Sequence, residues 1–172
     1  MTDMHLVDIT AKDIASAPIR AGFGSGLVKA GELDKNVVAV SADLTGSVKL
    51  DGFAAKFPER FVQVGIAEQN LITVAAGLAH AGKVPFAASY AAFSPGRNWE
   101  QIRTTIALND QPVKIIGSHA GVSVGPDGAT HQMLEDSTLM RVLPNMRVLV
   151  PADYWAAKAA LRLAAKAPGP VY

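Results

Sequence analysis

The sequence predicts an α/β domain, a mostly parallel β-sheet with helices on both faces. Two observations carry this. Short Val- and Ile-rich runs, of the kind that form strands buried on both sides, alternate with longer Ala-rich stretches of helical character. Glycines and prolines then fall where those helical stretches should stop. Such alternation builds right-handed β–α–β units whose helices cover the sheet.

The expected strands are Val37–Ser41, Phe61–Val64, Val84–Ala88, Val113–Gly117 and Met146–Val150. The expected helices are Ile14–Ala30, Ile66–Ala81, Trp99–Leu108, Glu135–Arg141 and Tyr154–Lys166. Gly31, Gly82 and Pro168–Gly169–Pro170 mark helix ends, and Asp153 is placed to cap the last helix. Gly22-Phe23-Gly24-Ser25-Gly26 lies within a helical stretch and reads as a close-packing surface. The 172 residues fit one domain, 1–172. Val171 and Tyr172, apolar residues after a turn signal, read as the start of a further strand, so a fragment of a longer protein is expected.

Composition excludes several classes. With 49% apolar and 18% charged residues, the chain can bury a core and is not disordered. A net charge of +1 supplies no field for gripping nucleic acid or an anionic membrane. The absence of cysteine removes disulfides and thiolate metal sites and suits a reducing cytoplasm, the expected location. Asp3, His5 and Asp8 interrupt the N-terminal apolar residues, so no secretion-signal core is read there. No apolar run is long enough to span a bilayer.

Ligands of parallel sheets sit beyond the carboxyl ends of the strands. The segments to inspect are therefore Asp43–Ser47, Gly65–Gln69, Ser89–Arg97 and His119–His131. Glu68 falls in the first turn of a helix that is apolar nearly all round and expected to be buried. It either complements the helix dipole or is a carboxyl group held in an apolar cleft to share a proton with a ligand nitrogen. Gly125-Pro126-Asp127-Gly128-Ala129-Thr130-His131-Gln132 is the densest polar cluster, and two of the four histidines, His119 and His131, flank its loop. Zinc is the weaker alternative there, because no metal-ligand spacing supports it. Tyr90 and Phe93 are either core or a stacking pocket for a flat ring. Arg20, Ser47 and His119 would make a phosphate clamp if they converge. Neither a phosphate-cradling Gly-x-x-x-x-Gly-Lys loop nor a Gly-x-Ser-x-Gly elbow occurs.

Five stretches, in order, cover nearly the whole chain: Ser41-Ala42-Asp43-Leu44-Thr45, Gly65-Ile66-Ala67-Glu68-Gln69-Asn70, Trp99-Glu100-Gln101-Ile102-Arg103, Gly125 to Gln132, and Val150-Pro151-Ala152-Asp153. The set resembles the pyrimidine-binding domain of transketolases, most of all the C-terminal half of split, two-chain transketolases. The resemblance implies the thiamine-diphosphate-binding fold, with ketol transfer between sugar phosphates as the activity. It implies that Glu68 contacts N1′ of the cofactor's aminopyrimidine and promotes its imino tautomer, with His131 as the other catalytic residue. Tyr90 and Phe93 would surround the pyrimidine, and Asp43 would lie near the cofactor at a subunit interface. Arg20, Ser47 and His119 would hold the sugar phosphate, while Asp127 and His131 face its hydroxyls and carbonyl.

Long transketolases carry Glu before the Asp-Gly and Pro after it, where this chain has Pro126 and Ala129. The loop from Phe93 to Arg97 is a residue longer, through Gly96, which leaves Arg97 without a matched role. The Gly-Asp-Gly signature that holds the diphosphate and Mg²⁺ is missing. The resemblance thus implies a diphosphate-binding partner, a homodimer contact through the Glu68 helix, and no metal held by this chain. The alternatives are a 1-deoxyxylulose-5-phosphate synthase, which has similar stretches, and a non-catalytic assembly module of the same fold.

Overall fold

The computed structural model describes residue 10 and residues 12–172; Asp3, His5 and Asp8 lie outside the described residues. Four strands form one parallel sheet: β1 (Val37–Ser41), β2 (Phe61–Gln63), β3 (Val84–Tyr90) and β4 (Lys114–Ser118), in the order β2-β1-β3-β4. The register pairs Ala39 with Phe61 and Phe86, and Phe86 with Lys114. Among the described residues, six α-helices surround it: α1 (Ile19–Leu33), α2 (Asp51–Lys56), α3 (Glu68–His80), α4 (Trp99–Gln101), α5 (Asp136–Arg141) and α6 (Tyr154–Lys166).

The strands alternate their side chains between two cores, as a period of two requires. Val40, Ala87 and Ile115 pack with Leu71, Ile72 and Ala75 of α3 and Met140 of α5. Ala39, Phe86 and Ala88 pack with Phe23 and Leu27 of α1, Phe53 of α2 and Leu161 of α6. Helices on both faces are therefore the observed architecture.

The glycine run of α1 is a contact surface. A Cβ on Gly22 would stand 2.1 Å from the Tyr154 carbonyl oxygen, and one on Gly26 3.5 Å from Lys158 Cα, so α6 lies directly on this face. Gly31 departs from its expected role as a helix stop. It sits inside α1, where a Cβ would meet the Phe53 and Phe57 rings at 2.7 and 2.8 Å. Gly82, by contrast, takes φ +83 immediately after α3, the left-handed conformation that ends helices. Asp153 caps α6 by accepting from the Ala156 amide at 2.7 Å.

Other expectations shift. The first helix starts at Ile19 rather than Ile14, because Pro18 disfavours helical backbone in the residue before it. Trp99–Gln101 passes into a π-helix over Ile102–Ala107. There the Thr104 and Thr105 hydroxyls donate to the carbonyls of Glu100 and Gln101, competing for the acceptors of an ordinary helix. Met146–Val150 is not a strand. Val171 lies between it and β4, forming single parallel bridges to Lys114 and Arg147. The Leu149 amide also donates to the Tyr172 carbonyl. Finally, α3 is not buried all round. Leu71, Ile72, Ala75, Ala76 and Ala79 face the sheet, while Gln69, Asn70, Thr73, Gly77 and His80 are exposed. Its outer face is polar, with Val74 and Leu78 half-buried at the margins.

Candidate functional site

The loops at the carboxyl ends of the strands carry the candidate residues, as a parallel sheet dictates. Glu68 is the first residue of α3, whose N-cap residue Ala67 offers no side-chain oxygen to the first-turn amides. Its side chain is 2% exposed, and the carboxylate accepts a hydrogen bond on Oε2 from Arg97 at 2.8 Å. No hydrogen bond to Oε1 is found among the described residues. Glu68, Arg97, Ile66 and Gln101 line a cavity of about 490 Å³.

Arg97 then leads to the aromatic residues. Its guanidinium lies 5.0 Å from the Phe93 ring centroid. Phe93 is parallel to Tyr90 at 6.1 Å and meets His131 edge-on at 5.3 Å. Tyr90, itself buried, packs on His119 at 4.0 Å. An unbroken chain of contacts therefore joins Glu68 to the histidine-bearing loop.

His119 has φ +58, a left-handed backbone that a side chain bears only at a cost, and this aims its ring back toward α1. Arg20 Nη1 and His119 Nε2 are 2.6 Å apart. An arginine can only donate, so Nε2 accepts and the proton resides on Nδ1, which donates to Ser118 Oγ at 2.7 Å. Burial first, and then the Arg20 charge, depress the His119 pKa below the ordinary histidine range, with Asp127 acting in opposition. Arg20, Ser118 and His119 also line a second cavity of about 690 Å³, whose walls are largely apolar.

This shift has a consequence for stability. An unfolded histidine gains its proton near pH 6.5, whereas folded His119 does so only at lower pH. His119 therefore withholds no stability above that pH and withdraws it as pH falls below. Urea midpoints measured from pH 8 to pH 5 should decline less steeply for His119→Gln than for the natural chain. Parallel declines would show that His119 does not titrate this way.

Not every candidate converges. Ser47 is exposed in the loop after β1, and no hydrogen bond among the described residues joins it to Arg20 or His119. Asp43, at φ +59, donates its amide to Gln63 Oε1 at 2.7 Å and makes no described contact with the Tyr90 group. Asp127 is exposed in a 3₁₀ turn and reaches His119 by its charge alone. No group of three His, Asp or Glu able to hold a metal ion occurs among the described residues, and no helix there is long and apolar enough to cross a membrane.

Two residues had no assigned role in the sequence. Arg97 holds the Glu68 side chain, and Asn98 holds its backbone, donating to the Glu68 carbonyl at 2.7 Å. Asn98 is fully buried and also donates to Ser94 Oγ. Neither pairing has a local sequence signal, since about thirty residues separate the partners.

The chain is similar to known proteins in sequence and in fold. The family model for the pyrimidine-binding domain of transketolase covers residues 15–172. A Methanocaldococcus jannaschii protein named "Putative transketolase C-terminal section" is 49% identical over 154 residues, 90% of this chain and 49% of its own length. The chain thus spans about half the length of that relative. A 1-deoxy-D-xylulose-5-phosphate synthase of Dictyoglomus turgidum is 40% identical over 148 residues, 86% of this chain and 24% of that one. A solved structure titled as a split gene transketolase, inactive beta4 tetramer, superposes with a TM-score of 0.82 at 48% identity, covering 91% of this chain and 50% of that one. With a parallel sheet, a buried glutamate at the start of α3 and a match over most of its length, the chain belongs to the transketolase pyrimidine-binding domain family.

Proposed function

We propose that this chain is the pyrimidine-binding part of a thiamine-diphosphate-dependent transketolase, active only with a diphosphate-binding partner. One observation carries the reading. A carboxylate is buried at a helix start with one oxygen engaged by Arg97, and a wall of Phe93, Tyr90 and His131 begins one contact away. That donor and acceptor set fits an aminopyrimidine, which presents ring nitrogens at its edge and a flat face for stacking. Bound thiamine diphosphate supplies the electron sink for breaking and making a carbon–carbon bond beside a carbonyl.

The residues of this chain divide the remaining work. Glu68 holds or moves a proton at the ring nitrogen, and Tyr90 and Phe93 orient the ring. Arg20 and His119 receive a sugar phosphate, the guanidinium through paired donors. His131 and Asp127 face the sugar hydroxyls. Asp43 and Ser47 complete the set once a partner subunit closes over the loop after β1. Mg²⁺ and the diphosphate belong to that partner, and pairing of two copies of this domain through the exposed face of α3 encloses the site. The inactive state named for the split-gene neighbour supports a half-enzyme that needs its other chain. The enzyme so assembled works in the cytoplasm.

The Dictyoglomus relative favours a second reading, synthesis of 1-deoxyxylulose 5-phosphate. The reconstituted two-chain enzyme should convert xylulose 5-phosphate and ribose 5-phosphate in a coupled assay. Turnover restricted to pyruvate and glyceraldehyde 3-phosphate would move the assignment to the second reading, and none with either pair would leave a non-catalytic assembly module.

A further inference from the structure

We infer that Arg97 is a positioning residue for Glu68: it fixes Oε2 so that Oε1 alone is left to meet a ring nitrogen. The inference rests on the aminopyrimidine reading above. A glutamate has three rotatable bonds and two equivalent oxygens, so an unheld carboxylate at a cavity wall offers several acceptor directions. Here two neighbouring residues remove that freedom. Asn98 Nδ2 donates to the Glu68 carbonyl at 2.7 Å and Arg97 Nη1 to Oε2 at 2.8 Å, so backbone and side chain are gripped together. Asn98 is in turn fixed to Ser94 Oγ at 3.1 Å.

Arg97 is braced at its other side as well. Its guanidinium lies against Phe93, which meets His131 edge-on. A planar guanidinium can stack and donate at once, which an ammonium cannot match. The Arg97 side chain is half exposed while its partner is buried. It therefore reaches from the solvent side across the aromatic wall to the carboxylate. A group placed this way sets the direction of the acceptor without touching the ring, in the manner of the supporting residues that hold a reactive group in one geometry.

The test uses this chain and 4-amino-5-hydroxymethyl-2-methylpyrimidine, the heterocyclic half of thiamine, followed by NMR shifts at Ile66, Glu68 and Gln101. Arg97→Met should weaken binding at least tenfold, and Arg97→Lys should recover part of that loss. Arg97→Gln, which keeps a donor without the charge, should behave like Met and serves if Met unfolds the chain. Equal affinity in the natural chain and the Met or Gln variant would overturn the inference. Glu68→Gln separates the two levels. If it abolishes binding while the Arg97 variants do not, the glutamate reading stands and the positioning role falls. No shift in the natural chain would remove both.

Discussion

Glu68→Gln should lower turnover of the reconstituted two-chain enzyme about 100- to 10,000-fold, the range for losing a positioned proton-transfer group. Glutamine preserves the length and shape of the side chain and still accepts a hydrogen bond from Arg97 through its amide oxygen. What it cannot do is take up and return a proton. The fold should survive, because removing a buried charge also removes the need to pair it. Single-turnover and steady-state rates, with unfolding curves alongside, check both halves. A variant with full activity would reduce Glu68 to an acid that complements the helix dipole.

Gly22→Leu should destabilise the chain by about 3 kcal/mol or more, at the upper end of what overpacking costs. The reason is the rigidity of the obstacle. Even a single Cβ at position 22 would come 2.1 Å from the Tyr154 carbonyl oxygen, a backbone atom at the start of α6. Relief requires α1 and α6 to separate and to withdraw Phe23, Leu27 and Leu161 from their shared core. A thermal midpoint lower by about 10 °C is expected at the usual 2–4 °C per kcal/mol for chains of this size. A midpoint within a degree or two of the natural one would mean that the helices do not touch at this glycine.

Sequence patterning resolved some elements and not others, for identifiable reasons. β1 appears at its expected limits because all five of its residues are buried, so composition alone marks it. α6 does too, because Asp153 caps its start and Pro168 follows its end. The stretch 146–150 has strand-like composition, but among the described residues it forms a single bridge, from Arg147 to Val171, because pairing depends on the neighbour and not on the segment alone. The short α2 passed unnoticed because six residues carry too little periodicity.

The site shows the same division. Glu68, Tyr90, Phe93, His119 and His131 were expected at the carboxyl ends of the predicted strands, and the structure links them through a chain of contacts, although Tyr90 closes β3 instead of following it. Arg20 and His119 lie 99 residues apart, so only the resemblance brought them together, and that same resemblance included Ser47, which no described contact joins to them. Arg97 and Asn98 had no periodic or motif signal, since their meaning depends on a loop folding onto the start of another helix.

The place of Arg20 as the second residue of α1 makes that helix a lever. Two residues further on, Gly22 rests on α6 without a side chain between them. The seating of one helix on another thus sets the aim of the guanidinium at its tip. A slight roll of α1 would swing Arg20 away from His119, so a fault deep in the packing would surface at that distant pair.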